Sequence, residues 1–132
     1  MKKEIFINNI QIFLEKRGEI QFAYLFGSFL DGKTFRDIDL AIYIDKDYLN
    51  TQDKFYEIEL STQLEHIVKI PVDIIILNHA PSAIVFRASK GKLLKNIDDD
   101  IRIDFITLNW KEYWDLKPIL LYHMQERKYG SQ

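Results

Sequence analysis

Apolar residues recur along this chain at two periods, and the switches between them divide it into helices and strands. From Lys3 to Arg17, Phe6, Ile10, Phe13 and Leu14 share one helical stripe, with Lys16 and Arg17 in the last turn and Gly18 set to stop it. Gln21 to Phe26 reads as a first strand. A second runs from Asp37 to Ile44, where alternation sends Ile38, Leu40, Ile42 and Ile44 to one face and Asp37 and Asp39 to the other. Between Thr51 and Lys69, Tyr56, Leu60, Leu64, Ile67 and Val68 return at helical spacing, and Pro71 ends that helix. Val72 to Leu77 is an unbroken apolar run of strand length, interrupted only by the charge of Asp73.

Asn78 to Pro81 then forms a turn into a short helix, with Pro81 in its first turn and Gly91 at its end. Lys92 to Lys95 reads as a short edge strand. Asp98, Asp99 and Asp100 precede a helix, where negative charge suits the positive end of its dipole. Helical spacing continues from Ile101 to Lys128 through Phe105, Leu108, Trp110, Tyr113, Trp114, Leu116, Leu120 and Leu121. Pro118 falls inside it, which predicts a kink or two helices meeting there. The aromatic residues of this segment suit core packing, and they also suit an anchor for a partner protein. The elements together predict a small α/β domain: a mixed sheet of three or four strands flanked by helices, with residues 1–132 as a single domain.

Composition removes several classes of function. Lys and Arg total 18 against 20 acidic residues, so there is no general basic signature and no direct nucleic acid binding is expected. Cysteine is absent, which excludes disulfides and thiolate metal sites. The first residues carry too many charges for a signal peptide or a membrane span, and a cytoplasmic protein is expected. His66, His79 and His123 lack metal-ligand spacing, and no nucleophile elbow surrounds Ser28.

The chemistry concentrates in Ala23 to Asp45, AYLFGSFLDGKTFRDIDLAIYID. Gly27 lets the backbone approach a ligand closely, and Ser28, if it opens a helix, directs amides and a hydroxyl at an anion. Asp37 and Asp39 are spaced to grip one divalent cation. Carboxylates that share a metal with substrate phosphates are the usual setting for Mg2+, so the two features together read as a metal-nucleotide site. An ionised Asp73 inside an apolar strand is costly without compensation, which makes it a third acid for that site. Its alternative is an aspartate near an exposed strand end, bonded to neighbouring amides.

LFGSFLDGKTFRDIDLAIYID resembles the signature of the DNA polymerase β-type nucleotidyltransferase superfamily, in which Gly-Ser is followed by Asp-x-Asp and later by a third strand aspartate. The nearest likeness is to the minimal nucleotidyltransferases (MNT), antitoxin adenylyltransferases encoded beside a HEPN-domain toxin. PVDIIILNHAPSAIVFRASKGKLL resembles their third strand, turn and following helix, and YWDLKPIL their last helix. The resemblance implies a polymerase β-like fold, Gly27 and Ser28 on the nucleotide's phosphates, and Asp37, Asp39 and Asp73 as Mg2+ ligands. Asp73 would also accept the proton of the attacking hydroxyl. The implied activity is transfer of AMP from ATP to a tyrosine of the cognate HEPN toxin RNase, with release of pyrophosphate. The implied assembly is an oligomer, with itself or with the toxin, away from any membrane. Adenylylation of a small molecule, and a non-catalytic antitoxin that neutralises by docking alone, are the alternatives.

Overall fold

The computed structural model describes residues 2–32 and 36–130, with side chains at all of these except Lys2, Asp31 and residues 119–130. Residues 33–35 of the loop between the first two strands therefore lie outside the described residues, as do the side chains of Leu120 and Leu121. In chain order the helices are α1 (Lys2–Glu15), α2 (Ser28–Asp31), α3 (Lys46–Asn50), α4 (Phe55–Val68), α5 (Ser82–Ser89) and α6 (Asp99–Gly130). The strands are β1 (Ile20–Phe26), β2 (Ile38–Ile44), β3 (Val72–Ile76) and β4 (Lys92–Asn96).

One sheet takes the order β3-β2-β1-β4. β1 is antiparallel to both β2 and β4, whereas β2 and β3 run parallel, so the sheet is mixed, as the sequence predicts. Strand alternation builds a core on each face. Ile38, Leu40, Ile42 and Ile44 pack with Ile10 and Leu14 of α1 and Leu60 and Leu64 of α4. The opposite side chains, Phe22, Tyr24 and Phe26 of β1 with Ala41 and Tyr43 of β2, pack beneath Val85 and Ala88 of α5 and Phe105 of α6. Phe22 stacks on Tyr43 at 4.9 Å between ring centroids.

Several boundaries differ from expectation for local reasons. The predicted helix over Thr51 to Lys69 starts late, because two aspartates punctuate the segment. Asp45 accepts from the Tyr48 amide to cap α3, and the Asp53 carboxylate accepts from the Phe55 amide at 3.0 Å to open α4. Lys69, at φ 65°, turns the chain out of α4 before Pro71 is reached, and Ile67 stays 42% exposed instead of joining the core stripe.

Pro118 does not split the last helix, which continues through it to Gly130. The ring removes the bond to the carbonyl four residues back, that of Trp114. Trp114 and Pro118 are both exposed, so water can serve that carbonyl. Asp99 and Asp100 stand in the first turn of α6, where their charge suits the helix dipole as expected, and the Asp98 side chain adds a bond by accepting from the Asp100 amide at 2.8 Å. No helix among the described residues is long and apolar enough to cross a membrane.

Candidate functional site

The site forms where β1 ends beside the beginnings of β2 and β3. Phe26 pairs with Asp39 across the antiparallel ladder, and Asp39 pairs with Asp73 across the parallel one. The Ile38 amide donates to the Pro71 carbonyl at 2.9 Å, which helps fix the parallel register. Asp37 precedes β2 by one residue and faces the same way as Asp39. The three acids predicted from sequence thus lie side by side at one end of the sheet, on the face that carries α5.

Their environments differ. Asp39 is half-buried, and its carboxyl is held above the usual carboxylate range, first by burial and then by repulsion from Asp37 and Asp73. Arg87 of α5 partly offsets this. Asp73, by contrast, is exposed. β3 is an outer strand of the sheet, so the apolar run around Asp73 does not bury it, and the burial cost inferred from sequence is not incurred. Among the described residues, no three His, Asp or Glu side chains draw together closely enough to hold a metal by themselves. Hard carboxylate oxygens are nonetheless the donors Mg2+ takes, and it completes its octahedron with water and substrate oxygens.

Gly27 sits directly against this cluster. At φ 83° and ψ −157° it occupies a conformation that side chains disfavour, and a Cβ there would approach Asp39 Oδ2 to 2.4 Å. Ser28 opens α2, which is only one turn long, so individual amides and the hydroxyl matter here more than any helix dipole. Gly27 also borders a cleft of about 430 Å³ lined by Phe26, Gly27, Ser28, Leu30, Arg87, Lys90 and Gly91.

Arg87 and Lys90 had no part in the sequence-based site. Their signal was the basic run RASKGK that closes the short helix, which reads equally well as charge suited to a helix C-terminus. Gly91 brings them in. A Cβ on it would meet the Leu25 carbonyl oxygen at 2.1 Å, so only glycine lets this turn lie against the end of β1.

Aromatic residues of α6 pack against α5, the first of the two uses expected of them. The Trp110 indole donates to Ser89 Oγ at 2.7 Å, and Phe86 of α5 stacks on Tyr113 at 4.4 Å. Leu108 and Trp114 remain 64% and 51% exposed, as does much of Ile103 and Leu116.

A family model described as "Polymerase beta, Nucleotidyltransferase" matches residues 8–100. No curated protein matches the sequence significantly. Among solved structures, a chain of the MntA-HepT toxin-antitoxin complex is 20% identical, with a TM-score of 0.74, covering 95% of this chain and 98% of that one. A chain of a toxin-antitoxin structure with AMP-PNP is 23% identical, with a TM-score of 0.77 and coverage of 92% and 98%. A third, from a tri-AMPylated Shewanella oneidensis HEPN toxin in complex with MNT antitoxin, is 22% identical, with a TM-score of 0.68 and the same coverage. At these identities the likeness is one of fold.

Proposed function

Because this chain belongs to the polymerase β nucleotidyltransferase family, we propose that it is an antitoxin of the MNT kind, transferring AMP from ATP to a tyrosine of a HEPN toxin. The observation that carries the reading is the adjacency of Asp37, Asp39 and Asp73 to a cleft whose wall is Gly27 and Ser28. A cluster of acids short of positive charge beside a phosphate-sized cleft matches a metal-bound nucleoside triphosphate. The structural neighbours point the same way: they are toxin-antitoxin complexes, one with AMP-PNP and one with an AMPylated HEPN toxin.

In this reading residues 1–132 act as one minimal domain in the cytoplasm, in complex with the toxin. Gly27 and Ser28 hold nucleotide phosphates, and Asp37, Asp39 and Asp73 hold Mg2+, which neutralises charge developing on the phosphate oxygens. The exposed Asp73 carboxylate accepts the phenolic proton as the tyrosine oxygen attacks the α-phosphorus. The O–Pα bond forms, the bond from Pα to the β-phosphate oxygen breaks, and pyrophosphate leaves. The test is to incubate the protein with the product of the adjacent gene, ATP and Mg2+, and weigh the partner. AMP-sized mass increments are expected on the wild type's partner and none with Asp37→Asn plus Asp39→Asn. Binding without added mass overturns the proposal.

The exposed apolar side chains of α6 favour one second reading, neutralisation by docking alone. It predicts that the double Asp→Asn variant still silences the toxin, whereas the adenylyl-transfer reading predicts loss of silencing.

A further inference from the structure

We propose that Arg87 and Lys90, at the end of α5, hold the β- and γ-phosphates of the nucleotide, so that this chain measures the length of the phosphate chain. The inference rests on the nucleotidyltransferase reading and extends it to two residues outside the Gly-Ser and aspartate motifs. Three observations carry it.

The first is the division of charge about Gly27. The Asp39 carboxylate lies directly against it, and Gly27 also lines the cleft that carries both cations. A metal-bound triphosphate has the same polarity: a divalent cation at one end of the reacting group and a polyanionic tail leading away from it. The second is that neither cation is engaged by an acid at close range. The ion pairs among the described residues are Arg17 with Glu19 and Arg102 with Asp99. Arg87 instead lies over the Phe26 ring at 5.7 Å, and Lys90 over Phe86 at 4.6 Å. Ring faces orient a cation without satisfying its N–H donors, which leaves the Arg87 fork free for bidentate phosphate contact. The third is the close seat of Gly91 on β1, which fixes the turn bearing Lys90 beside Ser28.

The two cations differ in what they can do. Arg87 lies close enough to Asp39 to interact with its charge and also lines the cleft, so it spans the acid cluster and the cleft. Lys90 is exposed and its ammonium offers a point charge. Arg87 therefore suits the β-phosphate, where the leaving group's charge develops, and Lys90 the terminal phosphate.

The experiment measures binding of ATP, ADP and AMP with Mg2+ to the full chain by calorimetry, and displacement of ATP by inorganic tripolyphosphate. Wild type should rank ATP above ADP above AMP. Arg87→Ala with Lys90→Ala should weaken ATP by about 10- to 100-fold, from the loss of one or two charge-assisted contacts, and AMP by less than about 3-fold. Tripolyphosphate should no longer compete. Arg87→Lys, which keeps the charge and loses the fork, should fall between, and its melting curve serves as the control for folding.

A double variant that keeps the wild-type ratio of ATP to AMP affinity overturns the inference, as does an equal loss for both nucleotides. The wild type's action on its partner is a separate readout. AMP transfer with an unchanged nucleotide ranking in the variant sinks only the phosphate clamp, and a lost ranking without AMP transfer by the wild type sinks only the adenylyl-transfer reading.

Discussion

Gly27→Ala is the most informative single change, because it separates backbone strain from a clash with a named carboxylate. Gly27 combines φ 83° with ψ −157°. An L-residue held in that region costs about 1–3 kcal/mol. The new methyl would also lie 2.4 Å from Asp39 Oδ2 and 3.3 Å from Asp39 Cγ, so the carboxylate must swing away. Overpacking of this kind costs about 1–3 kcal/mol more, and the sum is expected near 3 kcal/mol, a large part of the roughly 5–15 kcal/mol that holds a domain folded.

Urea denaturation of the wild type, Gly27→Ala, Asp39→Ala and the double variant resolves the two parts. Asp39→Ala removes the carboxylate, so the clash vanishes and the strain remains. Gly27→Ala should therefore cost about 1–2 kcal/mol less in the Asp39→Ala background than in the wild type. Adenylyl transfer should be lost in every variant of the set. An equal cost in both backgrounds, or a total below about 0.5 kcal/mol, refutes the argument that Gly27 and Asp39 occupy contiguous space.

Three other outcomes follow from the same coordinates. Asp39 has its folded-state pKa raised by burial and by its two acidic neighbours, so its contribution to stability is fully present below the unfolded pKa and is lost as pH rises through the folded one. Without divalent cations, Asp39→Asn should therefore melt slightly above the wild type at neutral pH. Solvent screening keeps the difference below about 1 kcal/mol, and it should close as pH falls to about 4; a gap that widens on acidification contradicts the sign. Lys95 is 7% exposed and its ammonium donates to the carbonyls of Leu14 and Arg17 at 2.8 and 2.9 Å, closing the end of α1. Lys95→Met should cost about 2–3 kcal/mol in urea titration and leave nucleotide affinity alone. Trp110→Phe removes the indole bond to Ser89 at 2.7 Å and should loosen α6 from α5 by about 1–2 kcal/mol, read as faster amide exchange in α6.

How far the sequence revealed the site depends on whether each residue's role is local. Gly27, Ser28, Asp37 and Asp39 lie within one hairpin-like segment, and strand alternation alone puts the two aspartates on one face, so they were legible. Asp73 was legible as an odd charge in an apolar run, but for a reason the structure revises. Its strand is an outer one, and what brings it to the site is its pairing with Asp39 across a parallel register that 33 intervening positions must close. Arg87 and Lys90 were illegible because nothing in RASKGK distinguishes cations that finish a helix from cations that line a cleft. The difference is made by Gly91, whose missing side chain lets the turn touch Leu25. Lys95 inverts the usual rule for lysine on an edge strand: it lies buried because its ammonium ends on two carbonyls, one in the last turn of α1 and one just beyond it, from residues 81 and 78 positions away in sequence. Pro118 predicts a kink or two helices meeting because a ring removes one hydrogen bond, yet the helix continues through it, where that bond belongs to a carbonyl in an exposed turn that water can serve. Periodicity therefore yields the elements and the acid pair, whereas the cationic half of the site comes into being only when α5 is laid against β1.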